Sequence, residues 1–246
     1  MKIEICGIPF DDIDLPEAVR EVLRPSSEPH WVVTPNALML GRCAEHPEWR
    51  ELISSASMIL PDGAGVLMAA RRQGTPLRAR VAGIDFGERL MEEAARLGKR
   101  VFLLGGADGV APRAAENLVQ RFPDLRVAGT YWGYFERDGE ENRRLLGLIR
   151  ACRPEILIVC LGFPLQEYWI RENLPYLPSV RVAAGLGGSL DVWAGKVRRA
   201  PMLWQSIGME WAWRMLREPR RMRDLPTLAS FYRTGGKQSG EPSRKN

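Results

Sequence analysis

The sequence lacks the features of a membrane-spanning, secreted or zinc-binding protein. No apolar run approaches the roughly 18 residues that mark a transmembrane helix. Residues 1–5 have neither the apolar core nor the cleavage site of a signal peptide, so we expect a cytoplasmic protein. The four cysteines are scattered and form no CxxC pair. This usage predicts reduced thiols rather than a disulfide or zinc framework.

Familiar catalytic motifs are absent as well. Only two histidines occur, and neither His30 nor His46 lies beside an evident Ser or Cys nucleophile. Triad hydrolases and HExxH metalloproteases are therefore excluded. Strict GxGxxG spacing does not occur, which argues against a nicotinamide or flavin enzyme. Gly195-Lys196 looks like the end of a phosphate-binding P-loop, but Leu190 stands where that motif needs Gly.

Two acidic residues near the N-terminus, Asp12 and Asp14, have the DxD spacing that can hold a divalent metal. They directly precede Pro16 and an apolar-periodic run, which predicts a helix. Acidic residues are favoured at a helix N-terminus, where they cap free N–H groups and face the positive end of the dipole. We therefore interpret this pair as capping residues.

The charge is distributed unevenly along the chain. The 246 residues are 45% hydrophobic and 26% charged, as expected for a soluble globular protein with a substantial core. Residues 1–195 carry 23 Lys/Arg against 26 Asp/Glu, a net charge of −3, whereas residues 196–246 carry 12 against 4, a net charge of +8. The basic segment also contains Trp204, Trp211 and Trp213. Such a segment predicts an anionic partner.

Short apolar runs alternate with helical patterns along the first 195 residues. The predicted strands cover residues 3–8, 31–33, 58–60, 100–104, 127–131, 155–161 and 180–184. This alternation predicts an α/β fold, with a mostly parallel, Rossmann-like sheet covered by helices on both faces. The strand at 155–161 is the most apolar and is expected near the centre of the sheet.

The predicted organisation has three parts. Residues 1–195 form the α/β body, residues 196–233 a basic, Trp-rich helical appendage, and residues 234–246 a disordered tail. Apolar residues in the appendage recur at four-residue spacing. That stripe fits core packing, and its tryptophans and arginines equally fit a helix lying in a membrane interface.

Asp62 is the residue around which we interpret the body. It follows a short apolar run and Pro61, and it precedes Gly63, Gly65 and an Ala-rich helical segment. A strand, a tight turn and a helix would place its carboxylate at the carboxyl edge of the sheet, where open α/β folds bind ligands. The alternative is that Asp62 only caps the following helix.

Other strand ends carry small polar or glycine-rich segments. Thr34 and Asn36 follow one strand, although Pro35 and Asn36 also suit a plain turn. Turns 105–109 and 185–189 lie between a strand and a helix, where backbone N–H groups can hold a diphosphate; glycines there also serve close packing. One carboxylate, polar strand ends, glycine turns and many arginines suit a transfer reaction with an anionic leaving group.

An ordered set of short motifs resembles the WecG/TagA/CpsF glycosyltransferase family across roughly residues 3–223. The motifs are Thr34-x-Asn36, Asp62-Gly63-x-Gly65, Arg80-Val81-x-Gly83-x-Asp85, Val101-Phe102-Leu103-Leu104-Gly105-Gly106, Gly133-Tyr134-Phe135, Gly162-x-Pro164-x-Gln166-Glu167, Gly187-Gly188-Ser189-x-Asp191, Arg198-Arg199-Ala200-Pro201, Glu210-Trp211-x-x-Arg214 and Glu218-Pro219-Arg220-Arg221. Each motif alone is weak, but the series is specific.

The resemblance implies a metal-independent, inverting sugar transferase at the inner face of a bacterial membrane. It would move N-acetylmannosamine, or a related sugar, from UDP to an undecaprenyl-diphosphate-linked N-acetylglucosamine in the synthesis of a cell-surface polysaccharide such as teichoic acid. The implied partners are the UDP-sugar, the lipid-linked acceptor and the membrane surface, without nucleic acid; a homo-oligomer is left open.

The family pattern also implies roles for individual residues. Asp62 matches the catalytic aspartate, and Thr34 and Asn36 match active-site residues. The implied substrate-binding residues are Arg80, Gly105, Gly106, Gln166, Gly187, Gly188, Ser189, Asp191, Arg214, Arg220 and Arg221.

The chain departs from the family pattern at two places. Tyr131-Trp132 replaces a usual His-Asp, and Phe163 and Leu165 replace the usual Met and Arg. Both places are predicted to border the pocket, where they bear on the identity of the donor or acceptor. Two rival functions are a Rossmann-type oxidoreductase, which requires tight NADH binding, and a nucleic-acid-binding module, which requires affinity that falls steeply with salt.

Overall fold

A computed structural model describes residues 1–201, 204, 213 and 219–234 of the protein. The strands are β1 (Lys2–Ile5), β2 (Ile8–Asp11), β3 (His30–Val33), β4 (Met58–Ile59), β5 (Arg100–Gly105), β6 (Arg126–Tyr131), β7 (Ile156–Cys160) and β8 (Val182–Gly185). The α-helices are α1 (Leu15–Val22), α2 (Ala37–Glu45), α3 (Pro47–Ser54), α4 (Ala64–Arg72), α5 (Gly83–Arg96), α6 (Val110–Arg121), α7 (Glu140–Cys152), α8 (Leu165–Asn173), α9 (Ser189–Trp193) and α10 (Leu225–Thr234). Short 3₁₀ helices cover Leu174–Tyr176 and Pro219–Asp224.

Six strands form one parallel sheet in the order β4-β3-β8-β7-β5-β6. All five residues of β7 are buried, and β7 lies between β8 and β5, so the predicted central position is confirmed. The register aligns Val33 with both Ile59 and Gly185, and Gly185 with Val159. These four strands therefore end at nearly the same level, and the segments that follow them meet at one edge of the sheet.

Alternation along the strands divides the apolar core into two layers, one on each face of the sheet. Residues such as Val33, Leu104 and Val159 pack under α2, α3, α4, α7, α8 and α10. Their neighbours Leu103 and Ile158 face the opposite way and pack under α1, α5, α6 and α9. Because side chains alternate along a strand, a sheet covered on both faces needs apolar residues at every position. The predicted α/β architecture is confirmed.

The N-terminus differs from the prediction of one strand over residues 3–8. It forms an antiparallel hairpin, β1–β2, with a two-residue turn at Cys6 and Gly7. Both turn residues have positive φ, 54° and 75°, which is the backbone twist that tight hairpins favour. The carboxylate of Asp11 accepts a hydrogen bond from the Ile59 N–H at 2.8 Å and anchors the hairpin beside the edge strand β4.

The DxD pair has structural roles. Asp14 is the N-cap of α1, and it forms a capping box with Glu17, as predicted. Asp12, in contrast, is not a cap. Its carboxylate accepts a hydrogen bond from the backbone N–H of Arg78 at 2.7 Å, and it also pairs with the Arg78 guanidinium.

Candidate active site

A cavity of about 330 Å³ lies at the carboxyl edge of the sheet. Its walls come from the segments that follow β3, β4, β7 and β8, from the start of α5, and from the C-terminal helix α10. The lining includes Thr34, Asn36, Arg42, Asp62, Gly63, Gly65, Arg80, Gly83, Phe163, Gln166, Gly187, Gly188, Ser189, Asp224, Leu228 and Tyr232. The fold thus brings together most of the predicted site residues, although they are separated by up to 155 positions in sequence, from Thr34 to Ser189.

Asp62 is held at the edge by backbone hydrogen bonds that continue past the end of β4. The Leu60 N–H donates to the Val33 carbonyl at 2.9 Å, and the Asp62 N–H donates to the Pro35 carbonyl at 3.0 Å. The carboxylate oxygen Oδ2 lies 3.4 Å from the backbone N of Gly83, the first residue of α5. Asp62 therefore points into the cavity across the start of α5.

The alternative role of Asp62, as the cap of α4, does not hold. The N-cap residue of α4 is Gly63, with φ 93°, and it makes no side-chain cap hydrogen bond. The left-handed backbone at Gly63 turns the chain away from the strand and leaves the preceding carboxylate on the cavity side. Glycine adopts this conformation without the steric penalty of a Cβ atom.

Thr34 meets the same point from the neighbouring strand. A Cβ atom at Gly83 would lie 2.6 Å from the Thr34 hydroxyl oxygen, so only glycine allows this approach. Because Asp62 also contacts Gly83, the hydroxyl and the carboxylate converge on the first residue of α5. Thr34 is 8% exposed, and it lines the cavity.

Asn36 has two functions in one side chain. Its Oδ1 accepts hydrogen bonds from the N–H groups of Leu38 and Met39, both at 3.1 Å, and so caps α2. These bonds fix the orientation of the amide, and the residue also lines the cavity. The two interpretations of this segment, a turn and a ligand-facing group, are therefore compatible.

The turn after β8 forms the opposite wall of the cavity and is fastened by two side chains. The Ser189 hydroxyl donates to the Leu186 carbonyl at 2.8 Å, and Gln166 Oε1 accepts from the Gly187 N–H at 3.0 Å. Gln166 is 4% exposed and comes from α8. These contacts fix the backbone of Gly187 and Gly188 at the cavity surface.

Besides the C-terminal arginines, three predicted binding residues, Gly105, Gly106 and Asp191, do not line this cavity. Gly105 has φ 135°, and a Cβ atom there would collide with the Cys160 backbone. The Gly106 carbonyl accepts from the Gly133 N–H at 2.8 Å, so both glycines allow close packing of strand ends. Asp191 turns toward Lys196, 3.9 Å away. A role of these residues in nucleotide binding stays a prediction.

The C-terminal segment completes the cavity. The Arg42 guanidinium pairs with Asp224 at 2.6 Å, and the Arg72 guanidinium donates to the Tyr232 carbonyl at 2.8 Å. Gly41 and Gly65 allow close approach, since a Cβ atom would lie 2.8 Å from Thr227 at the first and 2.9 Å from the Tyr232 hydroxyl at the second. Helix α10 also buries Leu228 and Phe231 in the core.

The predicted phosphate-contacting arginines are placed differently. Arg80 lines the cavity. Arg220 and Arg221 belong to the 3₁₀ helix Pro219–Asp224, which runs directly into α10. Arg214 lies outside the described residues. Nearer the body of the fold, the Arg199 guanidinium forms an ion pair of 2.6 Å with Asp85, in the first turn of α5.

Sequence reasoning missed several residues of the cavity wall. Arg42 follows Leu38 and Met39 at helical spacing, so its place on the same face of α2 could have been found from periodicity. Asp224, Leu228 and Tyr232 gave no such signal, because only the tertiary packing of α10 brings them to the cavity. Burial raises the pKa of the Tyr232 phenol, which keeps its hydroxyl neutral.

The two departures from the family pattern have different positions. Phe163 lines the cavity, as expected, and packs edge-on against Trp49 with ring centroids 5.2 Å apart. Trp132 does not line it; its ring lies 6.4 Å from that of Tyr134, and both are exposed. The described residues contain no group of three or more His, Cys, Asp or Glu that could hold a metal ion. No helix in this part of the chain is long and apolar enough to cross a membrane.

Comparisons with known proteins agree with the geometry. The family model described as "Glycosyl transferase WecG/TagA/CpsF family" matches residues 3–241. A relative from Bacillus spizizenii strain W23 is 35% identical over 201 residues, which cover 82% of this chain and 76% of the relative. A relative from Staphylococcus aureus strain MW2 is 32% identical over 234 residues, which cover 94% of this chain and 90% of the relative. Both are named N-acetylglucosaminyldiphosphoundecaprenol N-acetyl-beta-D-mannosaminyltransferase.

Proposed function

The chain belongs to the WecG/TagA/CpsF family of glycosyltransferases, and from this premise we propose that it transfers N-acetylmannosamine from a UDP-sugar to an undecaprenyl-diphosphate-linked N-acetylglucosamine. The observation that carries the proposal is the convergence of Asp62, Thr34 and Asn36 in one cavity at the carboxyl edge of the sheet. The names of the two relatives support the choice of sugar and acceptor.

Asp62 acts as the general base in this proposal. Its carboxylate removes the proton of the acceptor hydroxyl, and the hydroxyl oxygen attacks the anomeric carbon of the donor sugar. The bond between that carbon and the β-phosphate oxygen breaks as the new one forms, so UDP leaves from the opposite face and the configuration inverts. The Asp62 carboxylate lies beside the N-terminus of α5, with Oδ2 3.4 Å from the Gly83 backbone N, and a general base acts within hydrogen-bond reach of the hydroxyl that it deprotonates.

The other cavity residues bind and orient the two substrates. The Thr34 hydroxyl and the Asn36 amide donate to sugar hydroxyl or acetamido groups. The turn at Gly187 and Gly188 presents backbone groups to the nucleotide, and the turn at 105–109 extends that surface along the same edge. Each backbone N–H directed at a developing phosphate charge lowers the barrier without any rearrangement during the reaction.

Arginine side chains offset the charge of the departing diphosphate. Arg80 is at the cavity. We assign the same task to Arg220 and Arg221, which adjoin the wall formed by α10, and to Arg214. Guanidinium groups suit this task because they stay charged and bind phosphate oxygens in pairs. The reaction is accordingly proposed to need no metal ion.

The acceptor is expected at the membrane surface. Its polyprenyl chain stays in the bilayer, so the enzyme must bring the cavity to the interface. The appendage of residues 196–233 is basic and Trp-rich, which suits contact with the anionic inner leaflet. We therefore propose that the enzyme works in the cytoplasm, peripherally on the inner face of the membrane.

A UDP-release assay with a panel of UDP-sugars and a lipid-diphosphate N-acetylglucosamine acceptor tests the proposal. We expect acceptor-dependent release from UDP-N-acetylmannosamine that persists in EDTA. Asp62→Asn should lower turnover by about 10²- to 10⁴-fold, as for a lost general base, while UDP binding stays unchanged. The control Asp124→Asn alters an exposed loop carboxylate and should retain full turnover. Full activity of Asp62→Asn would remove that residue from its role, and loss of turnover in EDTA would contradict the metal-independent reaction.

A further inference from the structure

Glu167 is a buried carboxyl group with no role in the mechanism above. It is 0% exposed and lies in the first turn of α8, directly after Gln166. None of the ion pairs between described residues includes it. A buried carboxyl without a cationic partner lowers the stability of a fold, so its presence beside the cavity calls for a functional reason.

The two oxygens of this carboxyl differ. Oε1 accepts a hydrogen bond from the Gln166 side-chain Nε2 at 2.8 Å, and both groups are buried. Oε2 is shielded from solvent and has no hydrogen-bond partner among the described residues. The carboxyl thus makes one side-chain contact, and that contact is to the amide of a residue that lines the cavity.

The contact determines which way the Gln166 amide faces. With Nε2 directed at Glu167, Oε1 is directed at the Gly187 N–H, which it accepts at 3.0 Å. The same side chain also packs on Gly185, where a Cβ atom would lie 2.9 Å from Nε2. A flipped amide would place an N–H group against the Gly187 N–H and an oxygen against the Glu167 oxygen, so both bonds would be lost.

We propose that Glu167 is a positioning residue: it locks the orientation of the Gln166 amide and, through it, the Gly187 turn that lines the cavity. The inference rests on the proposed function in that this turn is taken to bind the donor. The carboxyl acts through Gln166 and does not itself touch the substrate. Burial of Glu167 lowers the stability of the fold, but it supplies a hydrogen-bond acceptor in a fixed position for the Gln166 amide.

Two substitutions of Glu167 differ in whether an acceptor oxygen remains for the Gln166 Nε2. Glu167→Gln keeps an acceptor oxygen at the same reach and should retain turnover within about threefold, because a neutral amide still satisfies Nε2. Glu167→Met fills a similar volume without any acceptor. It should lower the specificity constant about 10- to 100-fold, as for a lost residue that orients a binding group, while the protein becomes more stable at pH 8 because a buried carboxyl is removed.

Two further measurements separate positioning from general structural support. Gln166→Leu should cause a similar loss, and the double variant with Glu167→Met should be no worse than Gln166→Leu alone, because residues that act as a unit are not additive. The Gly187 amide should exchange its hydrogen at least about tenfold faster in Glu167→Met and at the normal rate in Glu167→Gln, since one hydrogen bond restrains it. Glu172→Met, at an exposed position of the same helix, is the control.

The amide-exchange measurement needs no substrate, so it tests the positioning role even if the wild-type chain fails to turn over the proposed substrates. Full turnover of a folded Glu167→Met variant would overturn the proposal. So would equal losses in Glu167→Met and Glu167→Gln, multiplicative losses in the double variant, or unchanged exchange at Gly187. If Glu167→Met does not fold, the expected gain in stability is wrong and the proposal fails with it.

Discussion

The stability of the protein should depend on pH through Glu167. Burial raises the pKa of this carboxyl from 4.5 to about 7, while its hydrogen bond with Gln166 opposes the shift. Burial raises the pKa of the nearby Cys43 thiol to about 12, so this thiol stays neutral through the range in which Glu167 titrates. Below pH 4.5 the carboxyl is neutral in both the folded and the unfolded chain, and it contributes no pH dependence.

Between pH 4.5 and 7 the unfolded chain releases the proton while the folded chain retains it. The folded state therefore loses relative stability as the pH rises, and the loss levels off above the folded pKa. A displacement from 4.5 to about 7 corresponds to about 3 kcal/mol, at roughly 1.4 kcal/mol per pH unit. Most of this loss falls between pH 5 and pH 8.

Urea unfolding of the wild type and of Glu167→Gln at several pH values measures the effect. The amide mimics the neutral acid, so the difference in unfolding free energy between the two proteins should change by about 3 kcal/mol over this range, in favour of the variant at pH 8. Glu172→Gln, on the exposed side of the same helix, should show no such change. The reasoning would be refuted if the difference in unfolding free energy between the two proteins stayed constant with pH, or if the wild type became more stable relative to the variant as the pH rises.

Three other experiments test separate parts of the molecule. In a double-mutant cycle, Arg42→Ala and Asp224→Ala should show a coupling of about 1 kcal/mol in unfolding, as for a partly screened ion pair, and either change should lower turnover by loosening the cavity wall; additive effects would contradict the pairing. Asp14→Ala should cost about 1 kcal/mol of unfolding free energy through its lost cap and leave kcat unchanged, so an unaltered stability would contradict the capping role. Arg223→Glu should weaken sedimentation with anionic vesicles about 30-fold, at about 1 kcal/mol per charge near the surface, whereas Arg113→Glu on α6 should not; equal effects would argue against membrane contact through the C-terminal segment.

Most of the fold could be predicted from the sequence because local signals agreed with one another. The uniformly apolar strand β7 was expected near the centre of the sheet, and it is buried along its whole length. The hairpin at residues 2–11 was missed, because an apolar run that continues through Cys6-Gly7 resembles a single strand. Positive φ at both turn residues breaks it, and a cysteine gives no warning of that conformation.

The candidate site shows a similar division. Asp62, Thr34 and Gln166 could be predicted to meet because each follows a parallel strand, and parallel strands end at the same edge. The glycines at 105 and 106 could not be assigned in the same way. A glycine turn after a strand has the same sequence pattern whether it receives a phosphate or only admits a neighbouring backbone, and here the Cys160 backbone occupies the space of the missing Cβ atom.

The role of Glu167 beside the cavity could not be predicted from the sequence. The strand pattern identifies Gln166 as a residue at the sheet edge, but it does not tell which of two adjacent polar residues faces the cavity and which faces the core. In the folded chain Gln166 lines the cavity and Glu167 lies behind it, and the two are joined at 2.8 Å. A polar pair at the start of a helix can thus be one unit, in which the buried member fixes the orientation of the one that meets the ligand. The cost of that burial is measurable as a loss of unfolding free energy as the pH rises. Glu167→Met removes the buried carboxyl and its acceptor oxygen together, so this variant should gain stability at pH 8 while the Gly187 turn loses its restraint.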